Sequence, residues 1–182
     1  SLLALLDRYE IPATWAMVGH LMLDRCARDL EGQAHVEVKP QPRFSWFAHD
    51  WFCYDPCTKA SLAPSWYAPD IVDWIRAARV QHEIGSHSFA HIYYGDPECT
   101  SLVARADIKA AVNAAGQMGV ALSSFVFPRN QVGHLPLLKS FGFRTYRGAM
   151  PALIPGASRT LRRVANLLDQ LCARSPKPVK AE

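Results

Sequence analysis

The chain has 182 residues, 49% hydrophobic and 20% charged, with ten Gly and thirteen Pro, a balance that excludes a disordered or fibrous chain and suits one domain with its own core. Lys and Arg outnumber Asp and Glu by 20 to 16, and the excess is thin outside Arg159, Arg162 and Arg163. The basic stripe interleaved with aromatics that marks a nucleic-acid binder is therefore absent.

Leu2, Leu3, Leu5 and Leu6 form an apolar stripe that predicts an amphipathic helix over 1–10. A chain whose first residue already lies in such a helix reads as an excerpt of a longer protein, so any signal peptide would lie upstream. The apolar run 13–18, stopped by Gly19, predicts a strand buried on both faces. Residues 21–30 read as a helix. The segment 33–68 differs, holding Trp46, Phe47, Trp51, Phe52, Tyr54, Trp66 and Tyr67 with several Pro and little periodicity, as a long aromatic insertion does. Pro69 opens a further helix with Ile71, Val72, Ile75 and Ala78 inward, and 82–86 is a brief strand. Thr100 caps a helix to Met118, ended by Gly119. A strand over 123–127, a helix over 135–141 closed by Gly142, a strand over 143–146, a helix over 158–174 and a polar tail at 175–182 complete the order. Strand and helix alternate. That favours an α/β fold with a mostly parallel sheet, open or curved into an incomplete (β/α) barrel, with chemistry at the loops after the strands' C-terminal ends.

No stretch reaches the roughly 20 apolar residues of a membrane span. The five cysteines, Cys26, Cys53, Cys57, Cys99 and Cys172, are odd in number and lack a paired CxxC pattern. They read as free thiols, which favours a cytoplasmic setting, with Cys53, Cys57 and Cys99 left open to pair or to line a pocket.

Residues 82–91, His-Glu-Ile-Gly-Ser-His-Ser-Phe-Ala-His, carry the strongest local signal. If the chain turns helical after Gly85 and Ser86, His87 and His91 project four apart from one face and can chelate one metal ion. A zinc site needs further ligands and supporting hydrogen bonds, and solvated or core histidines are the competing reading. Asp96 follows closely. Asp50 and Asp55 are either substitute carboxylates or turn-capping groups, His134 faces either a groove or solvent, and the Arg159, Arg162, Arg163 cluster is the wet side of its helix.

Residues 5–19 resemble the helix and second strand of the polysaccharide deacetylases, the NodB-homology or carbohydrate esterase family 4 group, and 83–91 resemble that family's second motif. The resemblance implies that His87 and His91 are ligands of a catalytic divalent metal, Zn foremost, and that Ser88 is the hydroxyl residue ordering the loop. Residues 124–130 lie where the third motif belongs. There Val126 occupies the position at which many members have an arginine paired with the catalytic base; Arg129 either compensates or lines the groove, and its amide is the implied oxyanion donor. Residues 142–147 look like the strand that follows. The first motif's aspartate ligand and aspartate base would precede Ser1, and the last motif's histidine acid would follow Arg174. The resemblance thus implies that 1–174 is the central part of an enzyme removing acetyl groups from a polysaccharide or amino-sugar polymer, inactive by itself. Trp46, Trp51, Trp66 and Tyr67 either stack on sugar rings or form a small core beneath the insertion. A non-catalytic carbohydrate- or metal-binding module on the same scaffold is the alternative.

Overall fold

Ser1 accepts the Ala4 N–H at its Oγ, 3.3 Å away, and so starts helix α1 (Leu2–Tyr9), which ends where Glu10 turns left-handed. The computed structural model describes residues 1–47, 49–148 and 158–171. Strand β1 (Thr14–Met17) follows, then helix α2 (Asp70–Arg76), strand β2 (Glu83–Ser86), helix α3 (Ser101–Gln117), strand β3 (Ser124–Val126), helix α4 (Leu135–Ser140) and strand β4 (Thr145–Arg147). The architecture is α/β with one four-stranded, all-parallel sheet in the order β1-β2-β3-β4. Met17 lies opposite Ser86, Ser86 opposite Phe125, and Val126 opposite Arg147, which brings the C-terminal ends of all four strands to one edge. At the other end the Glu83 carboxylate accepts the hydroxyls of Thr14, Ser123 and Ser124 at 2.7, 2.9 and 2.5 Å and ties three strands together.

Helix α3 organises the core because both of its long faces are apolar. Val103, Ala104 and Ile108 pack with Phe125, Phe127 and Leu138, while Ala110, Ala111, Ala114 and Ala115 pack with Met17, Met22, Val72 and Ile75. Each large side chain buried this way contributes about 1.5–3 kcal/mol. Thr100 Oγ1 accepts the Val103 N–H at 3.4 Å, and Gly119 follows the helix at φ 68°, as the cap and stop residues predict. Gly19 lets the chain after β1 press on α3, since a Cβ there would lie 3.0 Å from Ala111 Cα.

Two expectations are corrected. Residues 21–30 do not form a helix: a 3₁₀ turn (Gly19–Met22) gives way to a segment paired with 58–60, where Cys26 N–H donates to Thr58 O at 3.3 Å and Ala60 N–H to Asp24 O at 2.7 Å. Met22 is the apolar side chain this stretch buries fully, and Leu30 lies in solvent, so the helical periodicity has no face to dock. Strand β1 is not buried on both faces. Thr14 is exposed and Trp15 and Ala16 half-buried, because β1 is an edge of the sheet among the described residues. The aromatic segment contributes Ala34, Val38, Phe44 and Phe52 to the two clusters.

The chain divides into two compact units, Ser1–Gly148 and Ala149–Glu182. The second holds helix α5 (Arg159–Leu171), on which Arg163 is exposed. The side chains of Arg159 and Arg162, the residue Cys172 and the tail expected at 175–182 lie outside the described set. No helix among the described residues is long and apolar enough to cross a membrane.

Candidate functional site

Where β2 ends, the chain doubles back over the sheet edge. His87 N–H donates to Met17 O at 2.7 Å, and Gly19 N–H and His20 N–H donate to Ser88 O and Phe89 O at 2.8 and 3.0 Å. Ser88 and His91 adopt left-handed φ values of 72° and 58°, so the expected helical turn is absent. The imidazoles still meet: the His87 and His91 ring centres are 4.8 Å apart, brought together by a looped backbone and not by helical spacing. Ser88 is wholly buried, and its Oγ accepts the Ile92 N–H at 3.3 Å. From α3, the buried carboxylate of Asp107 accepts the N–H groups of Phe89 and Ala90, both at 2.9 Å, and the Tyr94 hydroxyl at 2.6 Å. Burial raises the Asp107 carboxyl above the ordinary range despite these three donors.

The proton positions on the pair follow from its partners. His87 Nδ1 lies 2.7 Å from Val126 O. A carbonyl only accepts, so Nδ1 donates and Nε2 carries the lone pair. Burial, then the neighbouring His87 and the Arg129 guanidinium, lower the basicity of His91. Two imidazoles in this state are ligands a divalent metal accepts. Arg129 sits after β3 in a 3₁₀ turn (Pro128–Asn130) with φ 52°, its guanidinium 5.4 Å from the Tyr93 ring centre. Tyr93 in turn stacks on Trp46 at 5.4 Å, and Trp51 donates its indole N–H to Ala90 O at 2.7 Å. The rim therefore gathers His87, His91, Arg129, Trp46 and Trp51. Trp46 is 54% exposed and also stacks on Phe44 at 5.1 Å.

Tyr67 does not belong to that rim. It is 0% exposed and its hydroxyl donates to Asp55, so a sugar cannot stack on it. Trp66 is half-buried edge-on to His20, with ring centres 6.1 Å apart. Asp50 pairs with Lys39 at 2.7 Å, Asp96 accepts the Glu98 N–H at 3.0 Å, and His134 Nε2 donates to Cys99 O at 2.6 Å, which assigns all three structural roles. Cys26, Cys53, Cys57 and Cys99 are free thiols.

A second cluster went unread in the sequence. His20, on the turn after β1, and His35 and Asp55, on the aromatic segment, are 6%, 5% and 2% exposed, and their ligand atoms suit a metal ion. His20 Nε2 and His35 Nε2 each lie 2.8 Å from Asp55 Oδ2 and 3.0 Å from one another. His20 Nδ1 faces Trp66 O at 3.1 Å and His35 Nδ1 faces Glu37 Oε1 at 3.0 Å. Cys26 Sγ is 3.5 Å from Asp55 Oδ2. Burial lowers His20; it opposes charge on His35 too, but the Glu37 and Asp55 carboxylates outweigh it there. Burial pushes the Cys26 thiol up to about 12. Phe89, from the loop of His87 and His91, packs its ring against His20 and His35 at 5.7 and 5.6 Å, so the two histidine groups share a wall. The sequence signal was faint: Asp55 was visible only as one loop carboxylate among several, and His20 and His35 fall in no short motif.

Comparison with protein-family models, with curated proteins and with solved structures found no match to this chain.

Proposed function

We propose that the chain is the central part of a metal-dependent hydrolase that removes acetyl groups from a polysaccharide or amino-sugar polymer, on an incomplete (β/α) barrel of the polysaccharide deacetylase type. The observation that carries this reading is the pairing of His87 and His91 at the C-terminal edge of a parallel sheet, where catalytic groups of such folds gather. These two residues would hold the ion, zinc foremost, with a carboxylate that the family resemblance locates upstream of Ser1. When bound, a divalent ion brings the pKa of its water down towards about 7 and polarises the acetyl carbonyl.

The chain's own groups have definable parts in that reaction. Val126 O fixes the His87 tautomer and leaves Nε2 free to ligate. Asp107 holds the peptide links on either side of Phe89 and thereby the spacing of the two imidazoles. Arg129 adds positive charge beside His91, and its amide is the donor proposed for the oxyanion of the tetrahedral intermediate. Trp46 and Trp51 form an apolar wall suited to the face of a sugar ring.

The test is acetate release from an acetylated chitooligosaccharide by the zinc-loaded protein carrying the segments that flank these 182 residues. Release that is lost in His87→Ala and in His91→Ala is expected, as is no release by the 182 residues alone. A flank-bearing, zinc-loaded protein that binds the oligosaccharide and frees no acetate would instead establish a binding module.

A further inference from the structure

We propose that His20, His35 and Asp55 form a second metal centre, a buried zinc site that staples the long aromatic segment to the turn after β1. The His20 Nδ1 partner is a carbonyl and the His35 Nδ1 partner a carboxylate. Both only accept, so both Nδ1 atoms carry protons, and both Nε2 atoms turn inward on the Asp55 carboxylate oxygen, all three atoms within 2.8–3.0 Å. Such a buried group is held together by a positive charge at its centre, either a proton on one Nε2 or a divalent ion, and the ion takes all three atoms as ligands at once.

The outer contacts have the form that metal sites need. Each imidazole is oriented through its second nitrogen, one by a backbone carbonyl and one by a carboxylate. Asp55 Oδ1 accepts the Cys57 N–H at 2.8 Å and the Tyr67 hydroxyl, which leaves Oδ2 for the ion. Tetrahedral zinc with bonds of roughly 2.0–2.2 Å holds its N and O ligand atoms about 3.3 Å apart, so the triangle opens by about half an ångström on loading. Cys26 stands outside this triangle: its Sγ lies 3.5 Å from Asp55 Oδ2 and 3.1 Å from the Tyr67 hydroxyl, and it groups with Asp55 and Cys57 instead of with the histidines. Three protein donors leave a fourth zinc position to water. The need is also visible: residues 23–69 contain little regular structure beyond a 3₁₀ turn (Val36–Val38), yet they must hold Trp46 and Trp51 against the rim. A metal staple supplies that order where secondary structure does not.

The experiment separates this centre from the rim. In a His87→Ala/His91→Ala double variant of the chain, metal analysis is expected to return about one equivalent of zinc, and its removal by a chelator to lower the melting temperature by roughly 10 °C or more. As a readout independent of that variant, the unaltered chain is expected to bind one more equivalent of Co²⁺ than a His20→Gln/His35→Gln variant, judged by visible absorption, with both proteins folded by circular dichroism. A folded double variant without bound zinc would overturn the proposal, and so would a His20→Gln/His35→Gln variant that binds as much cobalt as the unaltered chain.

Discussion

Two pairs of histidines meet through one loop, since Phe89, between His87 and His91 in the chain, packs on His20 and His35, and their surroundings divide them. His87 and His91 are partly exposed at the sheet edge, ride on a loop of left-handed residues, and have Arg129 and a half-exposed tryptophan for company. His20 and His35 are buried, meet a carboxylate at hydrogen-bond distance and are locked through both ring nitrogens. The same side chain thus serves two kinds of site. Few protein donors at an accessible edge leave positions for water and substrate, whereas a buried donor set has no room for substrate and can only hold the chain together.

The sharpest way to break that contrast is to cut each pair. His87→Ala or His91→Ala in the flank-bearing protein is expected to lower kcat/KM for deacetylation by at least about 10³-fold, while thermal unfolding stays within about 2 °C of the parent. Asp55→Ala should do the converse to stability, leaving a buried cluster uncompensated at a cost of about 3–5 kcal/mol, read as a fall in melting temperature of roughly 10 °C. Equal destabilisation by both variants would erase the distinction. Asp107→Asn sharpens it further: the amide cannot accept both loop N–H groups and the Tyr94 hydroxyl, so a loss of about 1.5–3 kcal/mol is expected in denaturant unfolding, together with weaker zinc binding at the rim in a His20→Gln/His35→Gln background.

Smaller effects test the connecting parts. Trp51→Phe keeps the ring and removes the bond to Ala90 O, which should cost about 1 kcal/mol by chemical denaturation. The weakest effect concerns acid. Hydrogen bonds from Ser124 and Thr14, working against some burial, lower the Glu83 carboxyl below the ordinary glutamate range. A depressed folded value means that its stabilisation is complete above the unfolded value of about 4.3 and fades as pH falls through the folded one. Glu83→Gln should therefore flatten the acid limb of a melting-temperature profile below about pH 4 and leave the neutral side nearly parallel to the parent.

Much of the scaffold was legible because its signals are local. Thr100 and Gly119 bracket α3, Gly142 follows α4, and the brief strand expected over 82–86 is β2. The nearness of His87 and His91 was legible too, although the backbone achieves it by left-handed φ values that spacing does not reveal. The segment 21–30 misled because a periodic pattern carries no information about whether a core is there to receive it; pairing with 58–60 won instead. Tyr67 misled for a related reason, since an aromatic with a hydroxyl serves a wet ring face or a dry hydrogen bond equally well, and only the position of Asp55 decides. The cluster of His20, His35 and Asp55 is created by tertiary folding over gaps of 15 and 20 residues, which no repeat or motif encodes.

Trp51 has one more consequence. Its indole N–H is held by the carbonyl of Ala90, the residue directly before His91, and its ring touches Trp46 on the way to Tyr93. The chromophore is thereby wired to the rim at a fixed position. In a His20→Gln/His35→Gln/Trp66→Phe variant, which removes the buried centre and the indole beside it, titration with a paramagnetic ion such as Co²⁺ should quench its fluorescence as His87 and His91 fill, an intrinsic optical gauge of occupancy that needs no label.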